Sequence, residues 1–339
     1  MARPDDGKVV RVTAPSRLHI TLLDVGNATQ RLYGGVGMPI SSPRVVVVAR
    51  AASRRHVIGL PEEYERAAEA TVSALETMLE TPLRGEVSVA AAPDPHVGLG
   101  SKTAVLLSVG RAIAALNGCS VTAEQLWRAS GRGGTSGIGV HAFFGGGLLV
   151  DGGHPAPATR TFAPSSRSRP VRVPPLLASV AVPASWRITL VLPQGHRVSG
   201  DEERDVFGRA PVPDAEILRV LAAVYHGLLA AVATDDLDAA ARALTLIMST
   251  GFKRLEVANQ PEAVRLLARD LADATRRPVG MSSMGPLLYV LHRTDDGTPA
   301  VVARCAGKWR AAVLCTTTPA PRGHVVEYFH VAEISGMPA

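Results

Sequence analysis

Two glycine-rich stretches carry residue types that hold anions: Gly98-Leu-Gly-Ser-Lys-Thr103 and Gly131-Arg-Gly-Gly-Thr-Ser-Gly-Ile-Gly139. Glycine lets backbone N–H groups approach an oxyanion closely, and a helix opening after the first stretch aims its positive end at the same place. Gly98, Gly100, Ser101, Lys102 and Thr103 are therefore candidate ligands for phosphate or pyrophosphate. The first stretch is not a Walker A loop, because Ser101 rather than glycine precedes the lysine. Its bland alternative is a tight strand-to-helix turn with an exposed lysine. The second stretch adds Gly133, Gly134, Thr135 and Ser136, with the guanidinium of Arg132, and contains no acid. Phosphorylated-substrate chemistry without phosphoryl transfer is the expectation.

Further candidates lie on either side of these stretches. Residues 16–23 alternate Arg17, His19 and Thr21 with Leu18, Ile20 and Leu22, as a strand bordering a site would. A guanidinium pairs with carboxylates or pyrophosphate in bidentate fashion, and an imidazole can carry a proton. Asp24 and Asp151 are hard oxygen donors suited to Mg2+; the bland readings are an Arg17–Asp24 surface pair and a simple turn at Asp151-Gly152. His141 and His154 serve structure as readily as function, and Met281 and Met284 read as packing residues. His324 and His330 have no carboxylate at ligand spacing and read as structural.

The elements that must position these groups follow from periodicity. Residues 9–12, 44–49, 86–91, 186–192 and 287–291 read as strands, and 325–334 as extended. Gly34-Gly-Val-Gly37 reads as a turn. Helical patterns cover 62–79, 102–116, 123–128, 214–232, 237–248 and 261–275, with Thr122 and Gln125 spaced as a capping box. Residues 155–183, dense in Pro, Ser and Arg, look like a long connection between two halves.

At 339 residues, with 46% hydrophobic residues, the chain can bury two cores. The net charge of +6 comes from scattered arginines, and only 4% of residues are aromatic, so anionic small molecules fit better than nucleic acid. Three cysteines without CxxC spacing point to a reducing, cytoplasmic setting, and neither a signal peptide nor an unbroken membrane-length apolar run is evident.

Three segments in order give a resemblance over nearly the whole chain. Pro95-His-Val-Gly-Leu-Gly-Ser101 resembles the second motif of the GHMP kinase superfamily, Val279-Gly-Met-Ser-Ser-Met-Gly285 its third, and Pro15-Ser-Arg-Leu-His19 stands at the place of its first. Within the superfamily the chain is most similar to the β-ribofuranosylaminobenzene 5'-phosphate synthases. The residues are Ser16 to Asp24, Arg132 to Phe143, Val150-Asp-Gly-Gly-His154, and Gly200-Asp-Glu-Glu203 with Phe207. Kinases of the superfamily often carry Ser-Gly-Val/Ile-Asp; here Ser136-Gly-Ile-Gly139 offers no base. Lys102 and Ala104 also differ from the synthase pattern, where a small and a polar residue are usual.

The resemblance implies an α+β, two-domain GHMP-kinase-like fold. Residues 1–184 would form a ribosomal-S5-domain-2-like α/β domain, and residues 185–339 a ferredoxin-like α+β domain, with the site between them. It implies condensation of phosphoribosyl pyrophosphate with an aromatic carboxylic acid, releasing CO2 and pyrophosphate, commonly by a homodimer. Heavy use of alanine and arginine suits an actinomycete, which favours the C-nucleoside antibiotic synthases of formycin and pyrazofurin type, with 4-amino-1H-pyrazole-3,5-dicarboxylate as the ring. In that scheme Arg17, His19, Asp24 and Arg132 do chemistry, Asp24 and Asp151 hold Mg2+, and Glu203 holds metal or the ring amine. Gly98 to Thr103, Gly133 to Ser136 and Ser282 bind substrate. A small-alcohol kinase, a hydroxybenzoate or aminobenzoate synthase, and a non-catalytic binding protein are the alternatives.

Overall fold

The computed structural model describes residues 7–26, 28–157, 162–163, 172–195, 197–198 and 200–330. Residues 158–161 and 164–171 of the long 155–183 connection and the end of the 325–334 segment lie outside them. The first half comprises β1 (Lys8–Asp24), β2 (Arg31–Arg50), β3 (His56–Ile58), α1 (Glu62–Leu79), β4 (Glu86–Ala91), α2 (Ser101–Leu116), α3 (Ala123–Ser130), α4 (Ile138–Phe144), β5 (Leu148–Asp151), β6 (His154–Pro155) and β7 (Leu176–Val180). Strands β3, β4, β2 and β1 form one sheet, with β5 and β7 continuing from the far end of β2.

Helix α2 is apolar on all sides because it is enclosed: the sheet lies beneath it and α1 and α3 lie against it. Gly110 allows that closeness, since a Cβ there would stand 2.8 Å from Leu126. The capping box of Thr122 and Gln125 forms as the spacing requires and starts α3.

The second half runs β8 (Trp186–Leu192), α5 (Gly200–Phe207), α6 (Asp214–Ala222), a π-helical segment 223–228, α7 (Leu229–Ala233), α8 (Leu237–Met248), α9 (Gly251–Ala258), α10 (Glu262–Thr275), β9 (Val279–Met281), β10 (Leu288–Arg293), α11 (Thr298–Lys308) and β11 (Ala312–Thr317). Its sheet is antiparallel in the order β11-β8-β10-β9, the ferredoxin-like arrangement expected. The chain then crosses back: β12 (Val325–His330) pairs with β1, Lys8 opposite His330 and Thr13 opposite Val325. The first sheet thus takes in residues that a division after 184 assigns to the second half.

The halves share a core. Leu18, Ile20 and Met38 pack with Trp186, Ile188, Leu190 and Val224 in one buried cluster. Among the described residues one helical stretch, Asp214–Ala233, is long and apolar enough to cross a membrane. It instead buries Val220, Val224, Leu228 and Val232 in this core.

Three local expectations are corrected. The Gly34–Gly37 run is strand, inside β2, and its glycines mark close packing. A Cβ on Gly35 would stand 2.9 Å from Asp151 Oδ2, and one on Gly37 would stand 2.6 Å from Ile138. Residues 9–12 and 16–23 are one continuous strand despite Pro15, with a register shift between Pro15 and Ser16. A second shift between His19 and Thr21 ends the predicted alternation, so Leu22, not Thr21, faces the cleft.

Candidate active site

A cleft opens at the seam between the halves. Its wall takes in Arg17 and His19 from β1, Gly98 and Gly100 to Thr103 at the start of α2, Arg132, Gly133, Thr135, Ser136 and Gly139 before and within α4, Glu203 and Phe207 from α5, and Glu256 from α9. Of the residues expected at the site, Arg17, His19, Gly98, Gly100, Ser101, Lys102, Thr103, Arg132, Gly133, Thr135, Ser136 and Glu203 line it.

The phosphate loop is locked from both sides. Gly98 has φ +94, and a Cβ there would stand 2.5 Å from the Ser282 carbonyl oxygen. Ser282 Oγ accepts from the His19 N–H (3.0 Å) and donates to the Gly98 carbonyl (2.6 Å). Ser282 is wholly buried and does not line the cleft; it clamps the first and second motifs together instead of binding substrate. Gly100 has φ +70, and its missing side chain leaves room for Arg17, whose Nε would lie 2.9 Å from a Cβ. Helix α2 then begins, aiming its positive end into the cleft.

Four cations meet here. Arg17 Nη1 donates to the Gly98 carbonyl (2.9 Å), and the Arg17–Asp24 pair of the bland reading is not formed. Arg132 Nε donates to Thr103 Oγ1 (3.0 Å), and Lys102 Nζ lies 5.4 Å from the centre of the Tyr64 ring. Burial, followed by the neighbouring Arg132 charge, brings the Arg17 guanidinium down to about 10 and lowers the Lys102 ammonium. Lys253 is completely buried, donates to the carbonyls of Met281 (3.3 Å) and Ser283 (2.9 Å), and ion-pairs with Glu256. Burial, with Arg17 and Lys253 nearby, holds His19 well below the usual histidine range, so it is neutral near pH 7.

The rest of the lining is different. Leu22, Val198, Phe207 and Met284 belong to one apolar cluster and border the cleft, with Glu203 and Glu256 among them. Two polar atoms on the cleft's residues are buried without a hydrogen bond, Arg17 Nε and His19 Nδ1, whereas Glu256 Oε2 is taken up by Lys253.

Asp24 and Asp151 do not fit as metal ligands. Neither lines the cleft. Asp24 accepts from Gly26 N–H (3.0 Å), Thr29 N–H (2.9 Å) and Thr29 Oγ1 (2.8 Å), which closes the turn after β1. Asp151 accepts from Ser136 Oγ (3.1 Å), Gly137 N–H (2.9 Å) and Gly153 N–H (3.0 Å), which fixes the start of α4. Burial still pushes its carboxyl up to about 6. Among the described residues no group of three or more His, Cys, Asp or Glu is placed to hold a metal. Gly134 also lies off the cleft, its backbone bonded to His154.

Three residues on or beside the cleft escaped the sequence analysis. Tyr64, from α1, shares a hydrogen bond with Ser101 Oγ (3.1 Å). Lys253 and Glu256 sit on α9, a helix that periodicity did not reveal. Their spacing of three was the available signal, read beside Phe252 as a charged pair on an otherwise buried face.

The fold and the cleft define a GHMP-kinase-like protein whose site has glycine in place of the kinase acid. Solved structures agree on the fold: homoserine kinase from Cytophaga hutchinsonii has TM-score 0.65 at 15% identity, covering 96% of this chain and 99% of that one. Streptococcus pneumoniae phosphomevalonate kinase has TM-score 0.64 at 13% identity, covering 91% and 98%. No protein-family model matches the chain. The chain is 37% identical to the β-ribofuranosylphenol 5'-phosphate synthase of Archaeoglobus fulgidus over 85% of its own length and 90% of that protein's. It is 33% identical to the Methanothermobacter thermautotrophicus synthase over 89% and 94%. The chain belongs to the β-ribofuranosylphenol 5'-phosphate synthase family and has a GHMP-kinase-like fold.

Proposed function

We propose that the protein is a phosphoribosyl C-transferase that joins phosphoribosyl pyrophosphate to an aromatic carboxylic acid and releases CO2 and pyrophosphate. The supporting observation is the mixed lining of the cleft: the anion-binding groups Arg17, Lys102, Arg132 and the α2 N-terminus share it with the apolar side chains of Leu22, Val198, Phe207 and Met284. The cationic groups stabilise the departing pyrophosphate, which leaves the sugar C1 oxocarbenium-like. The apolar side chains hold the ring carbon against C1, where positioning supplies much of the rate.

The reaction balances without an external base. A bond forms between C1 and the ring carbon bearing the carboxylate as the C1–O bond to pyrophosphate breaks. The ring–CO2 bond then breaks and its electron pair restores aromaticity. No proton leaves the attacked carbon, which is why Gly139 is tolerable where a kinase has an acid. Mg2+ belongs here to the pyrophosphate substrate, since the two carboxylates expected to bind it point elsewhere.

The ring we favour is 4-amino-1H-pyrazole-3,5-dicarboxylate, in C-nucleoside antibiotic synthesis, in a reducing cytoplasm and as a homodimer. The names of the relatives favour a phenol-forming acid such as 4-hydroxybenzoate as the second reading. The test is incubation with phosphoribosyl pyrophosphate, Mg2+ and both acids, following pyrophosphate, CO2 and the C-riboside 5'-phosphate by mass. Equal release of CO2 and pyrophosphate with one acid names the acceptor. ATP consumption with small alcohols and no C-riboside would overturn the proposal in favour of a kinase.

A further inference from the structure

We propose that Glu256 accepts a hydrogen bond from the N–H or O–H that makes the acceptor ring electron-rich, and that this contact sets which aromatic acids react. The inference rests on the transferase reading and adds to it the group that chooses the acceptor.

Glu256 is 3% exposed yet borders the cleft, beside the apolar wall of Leu22, Val198, Phe207 and Met284. A carboxylate in such a place is costly to keep, and proteins retain one when it has a partner or a task. Lys253 supplies part of the compensation through their ion pair. Lys253 is itself held by the Met281 and Ser283 carbonyls of the third glycine-rich motif, so the carboxylate is rigidly placed. Apart from Lys253 no donor reaches Oε2. His19, which also lines the cleft, has Nδ1 without a partner. Buried polar groups in folded proteins are almost always satisfied, so an unpartnered imidazole nitrogen and a buried carboxylate held only by Lys253, both lining one cleft, mark where a polar ligand completes the set.

The chemistry of the acceptor supplies the missing donor. Attack from a carboxylate-bearing ring carbon puts positive charge on the ring until CO2 leaves. An amino, hydroxyl or pyrazole N–H group relieves that charge, and does so better when its proton is drawn toward an anion. The proton shifts toward Glu256 as the C1–carbon bond forms and returns to the ring substituent as the ring–CO2 bond breaks. No net proton is gained or lost.

The experiment compares acceptors that keep or lose the donor: 4-hydroxybenzoate against 4-methoxybenzoate, and the pyrazole dicarboxylate against its N-methyl derivative. Each is assayed with the full chain, phosphoribosyl pyrophosphate and Mg2+. The parent should prefer the donor-bearing acid. Glu256→Gln should lower kcat/KM for that acid by about 10- to 100-fold, the worth of a hydrogen bond to a charged group. The methylated acid should be little changed, so the preference collapses, while phosphoribosyl pyrophosphate affinity stays at the parental value and Tm falls, because Lys253 is left buried without its counter-charge. An unchanged preference in Glu256→Gln overturns the proposal while leaving the transferase reading standing. Failure of the parent to turn over any acid overturns both. Should Glu256→Gln unfold, Glu256→Asp withdraws the carboxylate by one methylene and is read by the same ratio, with the same outcome overturning the proposal.

Discussion

Two sets of buried charged groups sit within a few residues of each other, and they are satisfied to opposite degrees. Asp24 and Asp151 each accept three hydrogen bonds from the protein itself, mostly backbone N–H groups. Arg17 and His19 each leave a buried polar atom without one. Protein interiors tolerate few such orphans, because each costs roughly 1–3 kcal/mol. Where they belong to residues lining a cleft, the fold has left room for a ligand to finish the hydrogen bonding. Where they are absent, the same residue types hold the backbone in shape. The lesson is that residue type alone does not separate a ligand-binding acid from a structural one, whereas its complement of partners does.

The contrast is sharpest at Arg132. Arg132→Met should cut kcat/KM by about 10²–10³-fold, the loss seen when one donor to a developing anion is removed. Stability should not fall, because Arg17 loses a like-charged neighbour. Full activity with a lowered Tm would break the comparison. On the saturated side, Asp151 has its carboxyl raised to about 6 by burial, against 3.8 when exposed. Between those pH values the folded chain keeps a proton that the unfolded chain has released. That contribution is fully present below pH 3.8 and is lost as pH rises through about 6. It amounts to something on the order of 3 kcal/mol. Denaturation of the parent and of Asp151→Asn across this range should differ by that slope, and parallel curves would refute it. The Mg2+ dependence of turnover should be the same in both.

Smaller effects probe the loop between the two sets. Gly100→Ala places a Cβ against the Arg17 guanidinium on a backbone at φ +70. Displacing Arg17 by a fraction of an ångström should lower kcat/KM by about 10-fold or more. The strained backbone should cost about 1 kcal/mol, read by urea denaturation. Gly139→Asp restores the kinase acid in name only. Its Cβ would meet Thr103 at 3.3 Å, and Thr103 is the acceptor for Arg132. Phosphoribosyl pyrophosphate binding should weaken by about tenfold, a charge effect of ordinary size, with no ATP-dependent phosphorylation gained. Appearance of kinase activity would show that the missing acid alone separates the two chemistries.

Much of the architecture was legible in the chain. The 62–79 helix, the 86–91 and 186–192 strands and the Thr122 capping box appear at the expected residues, because each is set by local periodicity or a local cap. Helices 200–207, 251–258 and 298–308 were not legible, since their apolar faces are short and their charges are mixed into buried positions. The glycines at 34–37 misled for a related reason: glycine marks close approach as readily as it marks a turn, and the neighbour approaching here is over a hundred residues away. The same distance in sequence hides Ser282, whose hydroxyl joins His19 to Gly98.

By itself the sequence determined which residues could bind anions, and that no acid stands at 139. Those are matters of composition and order. Only the tertiary structure decided that Arg17 serves the phosphate loop and not Asp24, that both aspartates are consumed by backbone N–H groups, and that Lys253 and Glu256 lie at the cleft. Hydrogen-bond partners and desolvation are set by what packs around a side chain, and here those neighbours come from four or more separate elements of the fold.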